Sequence, residues 1–327
     1  MSIAQINKPA RVLVRVFVAI FFVVAMASGI REAKAAEAGV GVYFLGFRGA
    51  LAGFVPPPGT YVQSDKIFYS ASSSKDQLFD FGGRIVADVK ADAVLDVLTA
   101  TWVPQTTFLG GHLGLSASLP VGWMKVSAGA ELTGPRGRSL SRNRADDIVD
   151  FGDLYLTGLL GWHHQAWHWN VNVGINAPTG AWEKGRLANL GFNYWAVDLG
   201  FAVTYLDPKT GLEFSFAPGI TFNAKNNATN YKTGNEFHLE VAALMRPSQQ
   251  FAFGVTGYHY QQLTDDSGAG AVLGGFKGRV TAVGPILTYD FKIRDISVSS
   301  NFRWMHEFNV ERRLKGDVIF ATFAVPL

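Results

Sequence analysis

The chain has 327 residues, of which 48% are hydrophobic and 17% charged, with 36 glycines and no cysteine. A chain this apolar is not disordered. One without cysteine has no disulfides, cysteine nucleophile, cysteine-bound zinc or lipid on a lipobox cysteine. The net charge of +3 belongs to residues 1–35, which hold five basic residues and one acidic residue, whereas the rest has 24 basic and 25 acidic residues. Nucleic-acid binding is therefore not expected.

Residues 1–35 have the pattern of a secretory signal peptide. Basic residues precede an apolar stretch at 16–27, and small residues at 33–36 supply an A-x-A cleavage site. The apolar stretch is short for a membrane span of ~20 residues, so an N-terminal membrane anchor fits less well. The pattern predicts export, with cleavage after Ala35 or Ala36.

Residues 36–57 form an apolar, glycine-rich segment, called here the N-terminal segment, with aromatic residues Tyr43, Phe44, Phe47 and Phe54. It has two interpretations. It folds into the structure formed by residues 58–327, as a plug or as the lining of a hydrophobic ligand path, or it supplies a first pairing strand or a helix packed at the rim. Glycine-rich apolar runs do not separate these alternatives.

Residues 58–327 repeat segments of about ten residues in which apolar and polar or small residues alternate, as β-strands do. The clearest is 167–176, where Trp, Trp, Val, Val and Ile alternate with His, Asn, Asn, Gly and Asn. A strand with such different faces separates an apolar medium from a polar one. About twelve segments share the pattern, at approximately 60–72, 84–103, 108–119, 151–163, 167–176, 193–206, 210–223, 235–246, 250–262, 277–291, 296–309 and 314–327.

The connections between these segments form two interleaved sets. One set is short, as at 104–106 and 294–295, and the other is long and polar, as at 73–83, 120–150 and 177–192. This asymmetry is typical of a transmembrane antiparallel up-and-down β-barrel in the outer membrane of a Gram-negative bacterium. The barrel must be closed, because an open edge in lipid would leave backbone groups without hydrogen bonds.

An all-β barrel of this kind has outer-membrane lipid and lipopolysaccharide as its surroundings, and the barrel-assembly machinery as its partner during biogenesis. A soluble β-sandwich or lipocalin-like barrel is the alternative. It would expose large apolar side chains to water on nearly every strand, which disfavours it.

The same alternation predicts which polar side chains face the lumen. Carboxylates at Asp96 and Asp290 belong to this inward set. The predicted lumen-lining residues are His112, Asp153, His168, Asp198, Glu213, His238, Glu240 and Arg303. Charges inside a barrel usually pair with one another and tune what passes.

No metalloprotease, serine-hydrolase, P-loop or dinucleotide motif occurs in the sequence. His164 and His168 are four residues apart, but they flank a turn into a strand rather than lie on a helix, so no metal site is predicted. No nucleophile, base and orienting residue can be named either. We therefore expect no enzyme activity and no cofactor, with an outer-membrane hydrolase as a minor alternative.

Several short motifs resemble those of a known family. In order, they are PGTY at 58–61, LPVG at 119–122, FGDLYL at 151–156, APTGAW at 177–182, LGFNYW at 190–195, QQLTDD at 261–266 and VGPILTY at 283–289. The sequence is similar to the phenol degradation meta-pathway family of outer-membrane β-barrel transporters, over roughly 56–327. The resemblance implies passive uptake of small aromatic or other hydrophobic compounds, and it implies no particular ligand-contact residues.

A different function remains open, that of a structural or adhesive barrel acting through its extracellular loops. The loop 133–150 contains four arginines, at positions 136, 138, 142 and 144. Facing outward, these arginines could bind lipopolysaccharide phosphates or attract anionic solutes. Alternatively, they pair with acidic residues of the same loop.

Overall fold

The computed structural model describes residues 39–75, 77–81, 84–133, 139–275 and 277–327. The predicted signal peptide and residues 36–38 of the N-terminal segment lie outside this described part. Among the described residues there is no helix with the length and hydropathy required to span a membrane.

Fifteen strands, joined in one sheet, follow the N-terminal segment in the described part of the chain. They are β1 (Gly59–Ser72), β2 (Phe79–Phe81), β3 (Arg84–Val103), β4 (Thr107–Phe108), β5 (Gly111–Thr133), β6 (Ser139–Phe151), β7 (Leu154–His164), β8 (Trp167–Ala177), β9 (Ala196–Leu206), β10 (Leu212–Asn223), β11 (Glu236–Met245), β12 (Phe251–Gln262), β13 (Arg279–Ile293), β14 (Ile296–Glu311) and β15 (Lys315–Pro326).

Twelve of these strands form a closed antiparallel barrel, as the alternation predicted. The chain order β1, β3, β5 and β7 to β15 is also the order around the barrel, and β15 pairs with β1 to close it. The short strands β2 and β4 pair with β3 and β5. Closure satisfies the backbone hydrogen bonds that lipid cannot supply.

The barrel wall separates an apolar outside from a mixed inside. On β9, Val197, Leu199 and Phe201 are at least 38% exposed outside, whereas Asp198 and Thr204 are at most 2% exposed inside. Exposed apolar side chains of this kind occur on most of the barrel strands. They make the outer surface suited to the hydrocarbon of a bilayer.

The inward position predicted for Asp96 is wrong. Asp96 lies on the outer face of β3, in line with the exposed Val94 and Leu98. The Lys66 Nζ lies 2.5 Å from the Asp96 Oδ2, and the Ser64 hydroxyl donates to Oδ1 at 2.7 Å. This pairing offsets the charge of an outward carboxylate, which the polarity of the residue alone did not predict.

The interpretation of residues 120–150 as a long polar loop is also wrong. β5 continues to Thr133, and β6 runs back along it. β6 and β7 therefore follow one another along the same edge of β5. Residues 134–138, which carry part of the arginine cluster, lie outside the described residues, so binding of lipopolysaccharide by this region stays a prediction.

Candidate functional site in the barrel lumen

Residues 39–57 of the N-terminal segment cross the inside of the barrel. Gly39 lies against Phe79, at the long-loop end, and Phe54 lies against His163 and His168, at the short-turn end. Gly59 then begins β1 at that same short-turn end, beside Val103. The chain therefore passes along the lumen once before it enters the wall.

Glu240 of β11 makes the densest set of contacts with this segment. Its Oε1 accepts hydrogen bonds from the Tyr43 hydroxyl at 2.9 Å and the Gly46 amide at 3.1 Å. Its Oε2 accepts from the Arg48 amide at 2.6 Å. Because Glu240 is 1% exposed, these donors replace water around its carboxylate.

Further along the segment, β8, β9 and β10 continue the attachment. The Leu51 amide donates to Glu213 at 2.6 Å, and the Gly53 amide donates to the Thr204 hydroxyl at 2.9 Å. The Asn170 side-chain amide donates to the Ala52 carbonyl at 3.0 Å. In these three hydrogen bonds the segment contributes backbone groups, which any residue carries, and the wall contributes specific side chains.

Two glycines of the segment permit its course. Gly46 has φ of +85°, a conformation that side chains rarely adopt. At Gly53, a Cβ would stand 2.5 Å from the Thr204 amide nitrogen. The glycine-rich composition therefore serves close approach to the wall as well as a left-handed turn.

The aromatic residues of the segment reach different parts of the lumen. The Tyr43 ring stacks on His238 with centroids 3.6 Å apart, and His238 Nε2 lies 2.7 Å from the Asp198 carboxylate. Phe44 and Phe47 pack together, and Phe47 meets Phe320 edge-on at 6.3 Å.

Three histidines gather at the short-turn end. The Nδ1 atoms of His163 and His168 are 2.7 Å apart, and the His112 ring lies 6.2 Å from that of His163. Phe54 covers the first two rings at 5.0 and 5.1 Å. Within the described residues, no group of three or more potential ligands is arranged to hold a metal ion.

Glu213 and Arg303 each sit in a charged pair inside the barrel. Two guanidinium nitrogens of Arg246 lie 2.5 and 2.8 Å from Glu213 Oε2. Arg303 Nη2 lies 3.9 Å from Asp65, and its guanidinium carbon lies 4.4 Å from the centre of the Phe320 ring.

Asp153 lies on the connection between β6 and β7 and holds the long loop that follows β8. Its carboxylate accepts from the Gly180 amide at 2.8 Å, the Phe192 amide at 2.9 Å and the Asn176 side chain at 2.9 Å. Both ends of the loop are therefore fixed to one buried side chain.

The middle of the same loop is held by Asp146 of β6, which lies outside the barrel strands. Arg186 donates to this carboxylate at 3.0 and 3.2 Å, and the Leu187 amide donates at 3.1 Å. The hydrogen bonds from Arg186 hold the pKa of Asp146 below its ordinary value.

A cavity of about 260 Å³ lies between the N-terminal segment and the wall built by β1, β3, β5 and β15. The loop held by Asp153 and Asp146 covers it through residues 182–192. Its lining is mostly apolar and includes Phe44, Leu45, Ile67, Met124, Leu187 and Phe320.

The polar part of that lining consists of residues outside the predicted site. Glu307 accepts hydrogen bonds from Tyr258 at 2.7 Å and Tyr69 at 3.3 Å, and Arg313 lies over the Tyr260 ring. Glu307 lies on the inner face of β14, in line with the buried Arg303 and Met305. Arg313 lies in the turn between β14 and β15, where no alternation operates, so the sequence carries no signal for it.

A family model described as "Putative MetA-pathway of phenol degradation" matches residues 75–323. The chain belongs to this family. The resemblance of the short motifs is therefore confirmed. None of the curated protein sequences compared with the chain matches it.

Among solved structures, the COG4313 outer membrane channel from Pseudomonas putida F1 is similar to this chain, with TM-score 0.64 and 16% identity over 84% of this chain and 97% of that one. The NanC porin has TM-score 0.40 and 9% identity, covering 82% and 98% of the two chains. The CymD monoaromatic hydrocarbon channel has TM-score 0.37 and 9% identity, covering 90% and 98%.

The first of these similarities shows that this member of the phenol-degradation family has the fold of an outer-membrane channel. Together with the apolar outer surface of the closed barrel, the fold places the protein in the outer membrane of a Gram-negative bacterium, as predicted.

Proposed function

We propose that this protein is a passive outer-membrane channel for small aromatic or other hydrophobic compounds, and not an enzyme. The observation that carries the proposal is the apolar cavity inside the barrel, bounded by the N-terminal segment and the wall. Membership of a phenol-degradation family points to aromatic compounds as the class of solute.

The size of the cavity fits a single substituted ring. An apolar cavity of about 150 Å³ in another protein accommodates benzene. The cavity here is larger, at about 260 Å³, so a ring with a short substituent fits. Aromatic and aliphatic neighbours such as Phe44, Leu187 and Phe320 bury the apolar surface of such a solute, which favours its entry from water.

The N-terminal segment acts in this proposal as a plug that excludes large polar solutes. A lumen of twelve strands is narrower than those of the 16–18-stranded porins with open aqueous channels. The segment is hydrogen-bonded to Glu240 and Glu213 on one side, and the apolar cavity lies on its other side. The lumen residues thus act by holding the segment, and Tyr43, Phe44, Phe47 and Phe54 line or close the path.

Lipid, lipopolysaccharide and the barrel-assembly machinery complete the proposed set of partners. The apolar outer surface fits lipid. The assembly machinery follows from the general requirement that a barrel closes only on insertion into the outer membrane.

Flux through the purified full-length barrel in liposomes tests the proposal. Entry of a phenolic or alkyl-aromatic probe is compared with entry of a charged sugar, with protein-free liposomes measuring passive leakage. Faster entry of the aromatic probe alone is expected. Equal entry of both solutes would indicate a general porin, and entry of neither would favour the structural or enzymatic alternatives.

A further inference from the structure

The wall that bounds the apolar cavity changes its chemistry along its own strands. On β3, Leu95 lines the cavity and is followed on the inner face by the buried Val97, and on β5 the cavity is lined by Pro120. Closer to the short-turn end, the inward positions of both strands carry hydroxyl groups instead. These residues, called here the hydroxyl wall, are Thr99, Thr101, Ser116 and Ser118.

The hydroxyl wall consists of two cross-strand pairs. Thr99 lies opposite Ser118, and their hydroxyl oxygens are 2.8 Å apart. Thr101 and Ser116 form the second pair at the same distance. In each pair one hydroxyl donates and the other accepts, so the accepting hydroxyl keeps its own hydrogen for a further bond. Because all four residues are partly exposed, the wall offers neutral groups that can donate to a solute or accept from it.

The opposite side of the lumen also has a hydroxyl pair, but that pair is enclosed. The hydroxyl oxygens of Thr204 on β9 and Ser215 on β10 are 2.8 Å apart, and both residues are at most 1% exposed. The N-terminal segment lies against this side, where the Gly53 amide donates to Thr204. Room for a solute beside the segment is therefore found along the hydroxyl wall.

We propose that a solute leaving the cavity passes to the periplasm along the hydroxyl wall, which binds the hydroxyl group of phenols and aromatic alcohols. This inference rests on the proposed function and adds to it an exit route and a hydrogen-bonding subsite. A phenolic hydroxyl that leaves water without a new partner loses its hydrogen bonds at a cost, and the paired hydroxyls offset that cost. A hydrocarbon of the same shape makes no hydrogen bond there.

Cysteine labelling of the full-length barrel in nanodiscs tests the route, because the protein has no native cysteine. The reporter is Thr157→Cys on β7, since Thr157 lies opposite Ser116 and is partly exposed. The control is Ser215→Cys, on the enclosed side of the lumen. Mass spectrometry of the intact protein follows the reaction with methyl methanethiosulfonate, a small neutral reagent. We expect the reporter to react at least about tenfold faster than the control, because a buried thiol reacts only when the structure opens locally.

Protection of the reporter by solutes tests binding at the hydroxyl wall. The solutes are 4-ethylphenol and 4-ethyltoluene, which have the same shape but differ in the hydroxyl group. Removal of one pair by Thr101→Val with Ser116→Ala should raise the half-protecting concentration of 4-ethylphenol about fivefold, the effect of one neutral hydrogen bond. The value for 4-ethyltoluene should not rise. Ser64→Ala, which removes a hydroxyl from the outer face of β1, should change neither value.

The results distinguish failure of this inference from failure of the proposed function. Heat-modifiable migration on gels confirms that each variant is folded. Equal labelling rates of reporter and control would overturn the exit route. Absence of protection by 4-ethylphenol, or equal changes for the two solutes when the pair is removed, would overturn the subsite. In each of these cases, aromatic flux through liposomes would leave the proposed function standing, whereas absence of that flux would overturn both.

Discussion

The two sides of the lumen contact the N-terminal segment in different ways. Toward β8 to β11 the segment is attached by hydrogen bonds to Glu240, Glu213, Thr204 and Asn170. Toward β1, β3 and β15 it presents Phe44 and apolar neighbours to the cavity. The polar side fixes the segment and the apolar side leaves space, so one short stretch of chain both narrows the barrel and shapes a site.

The largest change in conductance is expected when the N-terminal segment, with all its hydrogen bonds to the polar side of the lumen, is deleted. Deletion of residues 39–55 should raise single-channel ion conductance several-fold, because the lumen loses the chain that fills it. The same deletion should let a charged sugar enter liposomes and reduce selectivity for an aromatic probe. Unchanged conductance together with unchanged aromatic uptake would show that the segment does not limit passage.

The role of the apolar side is tested by filling its cavity with a larger side chain. Ala93 is 7% exposed on the inner face of β3 and lines the cavity, so Ala93→Phe should greatly reduce aromatic flux while ion conductance changes little. Overpacking costs about 1–3 kcal/mol, which the barrel should tolerate. Ala100→Phe makes the same change on the exposed outer face of the same strand. Equal flux losses in the two variants would show that cavity volume is not the cause.

A smaller effect is expected when one anchor is weakened. Glu240→Gln keeps the shape but leaves one fewer acceptor for three donors, at a cost of about 1–3 kcal/mol for a buried unsatisfied group. The protein has no cysteine, so an Ala50→Cys reporter can be labelled with a maleimide. Labelling should accelerate in the Glu240→Gln background. Asp96→Asn, which removes a carboxylate from the outer face, should not accelerate it.

The smallest effect concerns the loop over the cavity. Asp146→Asn should accelerate hydrogen exchange of the Leu187 and Ala188 amides, which donate to this carboxylate. The ion pair with Arg186 contributes about 0.5 kcal/mol, as for other partly exposed pairs. Because the pKa of Asp146 is lowered in the folded protein, this contribution is fully present above the ordinary carboxyl pKa of about 3.9 and is lost as pH falls through the lowered value. Equal rates of amide hydrogen exchange in wild type and variant at pH 6 would show that Asp146 does not hold the loop.

The barrel wall could be predicted from sequence because one physical rule, alternation between lipid and lumen, acts on every strand. The inward prediction for Asp96 was wrong because it followed from the charge of the residue and not from its place in the alternation of β3. Pairing with Lys66 stabilises this outward carboxylate. The rule failed at 120–150 because β5 and β6 continue as strands beyond the lipid-facing wall, where charged residues are no evidence against a strand.

The site was less predictable for a different reason. Inner-face residues such as Glu240 and Asp198 follow from alternation, but the partner of each depends on how the N-terminal segment crosses the lumen. Arg313 enters the cavity from a turn that no periodic pattern describes. Contacts between residues 43 and 240, or 51 and 213, are set by the closed tertiary structure and have no local signature.

The most direct test of the aromatic-channel account is to locate a bound aromatic compound. Crystals of the full-length barrel soaked in 4-bromophenol would show the bromine by anomalous diffraction. The account predicts a bromine peak inside the barrel, between Phe44, Leu187 and Phe320, and loss of that peak in the Ala93→Phe variant. Bromine found only on the outer surface, or an empty cavity under conditions where flux is measurable, would contradict it.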